Sequence, residues 1–373
     1  MTYTCAIVGT GAIAGAHATA ITELPGRARL VGAVDVEPER AAAFAETWDV
    51  PTYPTLAALL DAQRPDLVHL CTPPGSHLSL ALECLAAGAA PVVEKPPVLS
   101  LAEFDRLRAA EAAAGVPVAT VFQHRFGSGA VRLRRLLAEG VLGRPLVASA
   151  NTLWFRDDDY FAVPWRGKWE VEGGGPTMGH GIHQFDLLLS VLGPWTTVTA
   201  IAERQSRPTD TEDVSAALVR FDSGAVATVV NSLVSPRQTS QLRFDFEHAT
   251  VDLEHLYGYT NANWSLTAAP DVTSAWDRDQ TDLPSGHTAQ LAAVLDALDA
   301  GETPPVSTAD TRVTMEFVAA VYASAFTGRT VHQGEITEGH PFYDSMAGTG
   351  APWLNGGQPM VTTRAQAGGV SGT

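Results

Sequence analysis

Gly9-Thr10-Gly11-Ala12-Ile13-Ala14-Gly15 stands between an apolar run, Tyr3–Val8, and a helical stretch that reaches about Leu24. Pro25-Gly26 breaks the chain, and a second apolar run, Arg29–Val34, ends in Asp35. Strand, glycine turn, helix, strand and acid in that order describe a dinucleotide site. Gly9 makes the tight turn. Gly11 lets backbone amides, with those of Ala12 and Ile13 beside it, approach a pyrophosphate at the positive end of the helix. Ala14 holds the third small position, where helix and strand pack closely. Asp35 follows Gly11 by 24 residues, a spacing that suits a ribose 2′-hydroxyl. The same acid repels a 2′-phosphate, so NAD is expected rather than NADP. Arg40 is the one feature that points the other way.

The alternation continues outward from this turn. Helices are expected at Pro38–Trp48, Leu56–Ala62, Ser76–Ala87 and Leu101–Ala114, with strands at Leu67–Thr72, Pro91–Glu94 and Val116–Phe122. Strands spaced by helices imply a parallel, doubly wound sheet. Ligands in such sheets sit outside the carboxyl ends of the strands. Thr72-Pro73-Pro74-Gly75-Ser76-His77 lies at one such end, where Thr72 and Pro73 run along the nicotinamide ribose and His77 is a candidate cofactor contact. Val92-Val93-Glu94-Lys95-Pro96-Pro97 lies at another. Proline lacks the amide that a central ladder needs, so the strand stops here. An ammonium is left at the end of a buried strand. Apolar surroundings lower its basicity, which suits proton transfer with an alcohol. Glu94 reads as a cofactor contact beside Lys95 or as a strand-end salt bridge.

These three motifs, Gly-Thr-Gly-Ala-Ile-Ala, Thr-Pro-Pro-Gly-Ser-His and Glu-Lys-Pro, resemble in their order the glucose–fructose oxidoreductase, inositol dehydrogenase and rhizopine catabolism (Gfo/Idh/MocA) family. The resemblance covers residues 3–332. It implies that Lys95 positions and deprotonates a sugar hydroxyl, and that the Lys95–Pro96 peptide is cis. It also implies a second domain with an open sheet, one side for substrate and the other for oligomer contacts.

The second half agrees with that expectation. Ser128–Glu139 reads as a helix. Strand candidates follow at Pro145–Phe155, Thr197–Glu203, Val214–Phe221, Ala225–Leu233, Gln241–Glu247 and Thr250–Glu254, with a hairpin turn at Asp222-Ser223-Gly224. Consecutive strands with few helices mean a largely antiparallel sheet. Helices at His287–Leu298 and Thr308–Ala325 close it. The fold expected is therefore α/β: an N-terminal Rossmann domain over 1–123, then an α+β domain over 124–332 with a large, open, mostly antiparallel sheet. The tail over 333–373 is expected to pack in part, through Pro341-Phe342-Tyr343 and Trp353, and to be disordered beyond Thr362.

Gly173–Asp186 opens a helix expected to run to Leu192 and carries His180 and His183. The family resemblance places a general acid/base at His183 and an aspartate four residues earlier, where this chain has Gly179. His180 is the candidate substitute, orienting substrate or relaying a proton, and Asp186 packs or orients His183. Two histidines without further ligands argue against a metal. Trp154–Tyr160 and Trp165–Trp169 combine aromatics with Arg156, Arg166 and Lys168, a composition that suits a sugar carrying an anionic group. His124 and Arg125 end the last strand of the first domain and face the same cleft. Tyr257–Trp264 is an aromatic wall or an exposed turn.

Composition bounds the alternatives. The net charge of −17 argues against nucleic acid or an anionic membrane surface. Three cysteines without metal-ligand spacing, and no apolar run of membrane-spanning length, suit a reduced cytoplasm. Three activities fit. One is an NAD-dependent dehydrogenase of a sugar or polyol working as a homo-oligomer, dimer or tetramer. Another is a glycosidase that oxidises C3 transiently and returns the hydride. The last is a dinucleotide-binding regulator, against which Lys95 and His183 both speak.

Overall fold

The structure, a computed structural model, describes residues 1–355. The expected disorder beyond Thr362 lies outside the described residues. Six strands, β1 (Tyr3–Val8), β2 (Ala28–Val34), β3 (Thr52–Tyr53), β4 (Leu67–Leu70), β5 (Ala90–Val93) and β6 (Ala119–Thr120), form the first sheet. The helices between them are α1 (Ala14–Thr22), α2 (Pro38–Trp48), α3 (Leu56–Gln63), α4 (His77–Ala86) and α5 (Leu101–Ala114). The strand order is β3-β2-β1-β4-β5-β6 and every pair is parallel. The order reverses between β1 and β4, which opens a crevice at their carboxyl ends. The central strands β1, β4 and β5 are mostly apolar and buried because helices cover both faces. Val116–Phe122 contributes only Ala119–Thr120 to the ladder. Beyond that, the amide of Phe122 donates to Gln290 rather than to a strand.

The chain then passes through α6 (Ser128–Ala138), β7 (Pro145–Phe155), α7 (Asp158–Phe161), α8 (Trp169–Glu172), α9 (Pro176–Gly179) and α10 (Ile182–Leu192). Next come β8 (Trp195–Glu203), β9 (Val214–Phe221), β10 (Val226–Ser232), β11 (Val234–Phe246), β12 (Ala249–His255) and β13 (Trp264–Ala268). It finishes with α11 (Pro270–Trp276), α12 (His287–Ala300), α13 (Thr308–Thr327), β14 (Val331–His332) and α14 (Pro341–Asp344). The second sheet has eight strands in the order β13-β12-β11-β7-β10-β9-β8-β14. Only the β7–β10 pair is parallel. Alternation sets its faces: Ala148, Ala150, Val219, Val229 and Phe244 are buried, toward the side where α10 and α13 pack. On the other face Leu218 is 63% and Ile201 62% exposed.

Three local differences from the sequence reading have physical causes. The helix expected over 173–192 is broken at His180, whose backbone leaves the helical region (φ −122, ψ −54), and restarts at Gly181, where an added Cβ would overlap Asn231 of β10. β11 begins at Val234 and continues, with an irregular register, through a polar stretch whose alternation is weak. Trp264 begins an edge strand, and its ring lies against Gly129 of α6, where no side chain would fit.

Two further contacts matter for the site. α12, far along the chain, packs on α1, and its Leu291, Val294 and Leu295 join the buried cluster around Cys5, Ile7 and Val92. The described part of the tail docks, burying Phe342 and Met346, and Trp353 donates to the Asp210 carbonyl, 2.8 Å away. Trp169 donates to the same carbonyl. The three cysteines are buried and free.

Candidate active site

The crevice between β1 and β4 is built by close approach. Gly9 has φ +88, and an added Cβ would stand 2.8–2.9 Å from Thr72 and the Cys71 carbonyl group. Gly11 is different: a Cβ there would meet no protein atom within 4 Å among the described residues. α1 starts without a side-chain cap, and the amides of Gly11, Ala12 and Ile13 have no protein acceptor among the described residues. Open donors at a helix N-terminus, with space over Gly11, fit a pyrophosphate. Asp35 accepts from the Thr10 amide and hydroxyl (2.7 and 2.9 Å) and from the Glu37 amide (2.8 Å). Partial burial acts against its charge, but these bonds hold the carboxyl below its ordinary range. Arg40 stands 3.6 Å from it, over half exposed. Gly11→Ala is expected to weaken NAD binding while leaving the melting temperature of the cofactor-free protein unchanged. Gly9→Ala should lower both. Titration calorimetry beside thermal unfolding separates the two.

His77 is fully buried, and its two ring nitrogens face the carbonyls of Pro96 (2.9 Å) and Thr72 (2.8 Å). The ring ties the two strand-end loops together, and its side chain has no nitrogen left for the cofactor contact expected of it. Glu94 departs likewise. Its carboxylate points into the packing between α1 and α12, where His17 and His287 bond it at 2.9 and 3.0 Å. The salt-bridge reading fits that side chain better than a cofactor contact.

Lys95 precedes Pro96 across a cis peptide bond, and its Nζ donates to the carbonyl of Gly179 at 2.9 Å. Burial foremost, with Arg166 and Arg156 adding to it, lowers its basicity against the pull of Glu94 and Glu172. The bond sets the ammonium one residue before His180 and four before His183. The missing carboxylate at 179 leaves open space, since a Cβ there meets nothing within 4 Å among the described residues.

His183 is buried with neither ring nitrogen bonded. Its ring lies 4.7 Å from that of His124, which also has both nitrogens unbonded, and 5.7 Å from Tyr257. His180 packs edge-on against Trp154 at 5.1 Å and meets the Tyr160 hydroxyl at 3.5 Å. Burial and then the Lys95 charge push His183 and His180 well below the ordinary imidazole range, and His124 to about 3. All three are therefore neutral at neutral pH, each able to give or take one proton. Buried polar atoms without partners are uncommon in native folds. Here they cluster around one ammonium.

The loop between β7 and α8 forms the opposite wall. Arg166 lies over the Tyr160 ring at 3.9 Å and pairs with Glu172 at 3.4 Å. Arg156 lies over Trp154 and Tyr160, at 4.7 and 5.2 Å, and bonds the Phe155 carbonyl and Gln238. Lys168 caps α8 through its backbone and is not among the charges felt by Lys95 or His180. Arg125 gives the largest departure. In place of a substrate contact it makes a buried two-bond ion pair with Asp186, 2.5 Å on each arm, so Asp186 orients Arg125 rather than His183.

Sequence reading passed over Glu212. It is buried and accepts from the amides of Gly175 (3.0 Å) and Thr177 (3.1 Å) and from the Tyr322 hydroxyl (2.8 Å), which fixes the start of α9. No local motif marks it, since its partners come from distant segments. His17, His69 and His287 were also passed over. An isolated histidine inside an apolar strand or helix is itself a signal, because it needs a buried partner.

Residues 3–122 match the family model described as "Oxidoreductase family, NAD-binding Rossmann fold", and residues 130–252 match the one described as "GFO/IDH/MocA C-terminal domain". The chain is 28% identical to D-apiose dehydrogenase of Paraburkholderia graminis, over 87% of this chain and 88% of that one. It is 26% identical to D-glucoside 3-dehydrogenase of Escherichia coli, over 87% and 96%. Among solved structures, the WlbA dehydrogenase of Bordetella pertussis in complex with NADH and UDP-GlcNAcA superposes with a TM-score of 0.80. It is 26% identical and covers 89% of this chain and 97% of that one.

Proposed function

Because the chain belongs to the Gfo/Idh/MocA family of NAD-binding oxidoreductases, we propose that it oxidises a secondary hydroxyl of a sugar, sugar derivative or cyclitol that carries an anionic group. One observation carries the reading: Lys95 is held on the Gly179 carbonyl near the unbonded ring of His183, at the carboxyl end of the same sheet as the open glycine turn. Bound NAD supplies the hydride acceptor. Lys95 holds the hydroxyl oxygen through its ammonium hydrogens, and the neutral imidazole of His183 takes the hydroxyl proton. Trp154, Tyr160 and Tyr257 offer flat apolar surface to a sugar ring, and His124 and His180 offer hydrogen bonds at its edge. The relatives named for apiose and glucosides support a carbohydrate substrate.

The anionic group is supported by the balance of charge. Arg156 has no carboxylate partner among the described residues, in a protein whose net charge is −17. Arg156→Glu is expected to raise KM for a carboxylated or sulfonated sugar far more than for its neutral counterpart. Equal changes for both would remove the anionic assignment.

A second reading is favoured by the presence of three neutral imidazoles, more proton-handling groups than one hydride transfer requires. Oxidation at C3 of a glycoside makes the C2 proton acidic. One imidazole removes that proton, the C1 substituent leaves, water adds, and the hydride returns. A screen of neutral, carboxylated and sulfonated glycosides, following NADH absorbance and released aglycone together, decides between the two. NADH that accumulates with an oxidised sugar supports the dehydrogenase. Aglycone release that needs NAD yet accumulates no NADH supports the redox-neutral cleavage.

The exposed face of the second sheet, with Val147, Ile201, Leu218 and Val226 on it, supports a homo-oligomer through that surface. A cytoplasmic location is in keeping with three free buried thiols, and no helix among the described residues is long and apolar enough to cross a membrane.

A further inference from the structure

Four titratable side chains meet outside the proposed catalytic constellation: the buried His17 of α1, His69 of β4 and Glu94 at the end of β5, and the partly buried His287 of α12. His17 Nε2 and His287 Nε2 both reach Glu94 Oε1, at 2.9 and 3.0 Å, and His17 Nδ1 meets His69 Nδ1 at 2.8 Å. Glu94 Oε2 accepts from the backbone amide of Lys95 at 3.1 Å. One proton assignment satisfies all of these contacts. The Nε2–H groups of His17 and His287 donate to the carboxylate, and His69 donates to His17. The remaining His69 nitrogen is unbonded, and the ring lines a cavity of about 10 Å³, with room for at most one water.

We propose that His17 and His287 are positioning residues for Lys95: they clamp one oxygen of the Glu94 carboxylate so that the other oxygen fixes the peptide from which the lysine projects. The proposal rests on Lys95 being the residue that holds the substrate hydroxyl. It extends that reading to a part of the molecule that touches neither substrate nor cofactor through these side chains. His287 comes from a helix 193 residues beyond Glu94, so the clamp also couples the seating of α12 on α1 to the geometry of the lysine.

Charge supports the same assignment. Burial opposes ionisation of Glu94, but the bonds from His17 and His287 hold it well below the usual carboxylate range. Besides these two, His69, Cys71, His77, Lys95, His183 and Tyr257 also feel the Glu94 charge. The groups facing Lys95 itself are Glu94, Glu172, Arg156 and Arg166, with His124, His180 and His183 neutral around it. Losing a donor to Glu94 weakens its hold on a proton-free state, and the lysine then loses a neighbouring negative charge.

The same three ligand-type atoms could hold a divalent cation only by giving up both N–H protons, and their present separations are those of hydrogen bonds. The test compares His287→Ala, His287→Gln, whose amide N–H can still donate, and His17→Gln with the parent enzyme. kcat, KM, the pH profile of kcat/KM, NAD affinity and metal content are measured on each. The expected result is a fall in kcat of about tenfold for His287→Ala, the scale of one lost hydrogen bond to a charged group, with the lysine limb of the profile displaced toward lower pH. His287→Gln should recover most of both effects. Unchanged kcat and an unmoved profile in His287→Ala, with only the melting temperature lowered, would overturn the clamp. So would a stoichiometric metal in the parent enzyme that disappears with either histidine. Lys95→Met serves as the control: if it keeps parental activity, the reading of Lys95 itself is at fault rather than the clamp.

Discussion

Lys95→Met is expected to lower kcat by about a hundred- to a thousandfold, the scale of one lost donor to an oxygen that gains negative charge, while NAD still binds. Methionine keeps the length and the apolar stem, so the peptide held by Glu94 and the prolines that follow have no reason to move. What disappears is the ammonium that bonds Gly179 and would hold the substrate oxygen. The loss should fall on kcat and kcat/KM alike, because the interaction is strongest when the oxygen carries developing charge. Single-turnover hydride transfer with saturating NAD measures it directly. A decrease below tenfold would remove Lys95 as the group that holds the reacting oxygen. The parent profile has a defined sign as well. Burial and the Lys95 charge hold His183, His180 and His124 below the ordinary imidazole range, so no limb is expected near pH 6.5; activity is expected to fall as pH rises and Lys95 loses its proton, below the ordinary lysine range.

Arg125→Met should destabilise the protein by about 3–5 kcal/mol, the cost of leaving one partner of a buried ion pair unpaired. The guanidinium is 16% and the Asp186 carboxylate 1% exposed. The remaining bond to Asp186, from Thr314 at 3.3 Å, is long and cannot replace two charged ones. Burial raises the Asp186 carboxyl and the Arg125 charge pulls it back, so removing Arg125 lets the carboxyl rise further. A carboxyl with a raised folded-state value stabilises the fold at low pH, and that contribution is lost as pH rises through the raised value. The variant should therefore suffer less at pH 5 than at pH 8. Asp186→Leu combined with Arg125→Met should recover most of the stability, because no charge is then left buried. Urea unfolding of the four proteins in this cycle is the measurement. An Arg125→Met protein as stable as the parent but with a raised KM would return Arg125 to the substrate.

That arginine shows where a sequence stops being readable. The glycine turn, Asp35 and the Glu-Lys-Pro stretch are legible because their chemistry is local: a positive φ, a helix N-terminus and a strand stopped by proline all act within a few residues. The parallel first sheet and the mostly antiparallel second one follow from the spacing of apolar runs in the same way. Whether a polar side chain turns toward the cleft or the core depends on a partner far along the chain. Arg125 finds Asp186, Glu94 finds His287, Glu212 finds Tyr322, and no periodicity records those meetings. The neutral histidines of the site fall between these cases. Their positions at loop and helix starts are visible, but their unbonded nitrogens depend on which neighbours fail to arrive.

The packing of α12 on α1 means that the nucleotide half is not a contiguous stretch of gene. A fragment ending at residue 123 would lack Leu291, Val294 and Leu295, and the flank they cover would face water. Grafting this half onto another protein would require carrying the distant helix with it. A swap that imported a foreign copy of α12 would also change the neighbour that Glu94 meets there. In this molecule, recombination between relatives has a built-in constraint: the beginning and the last third of the chain must be inherited together.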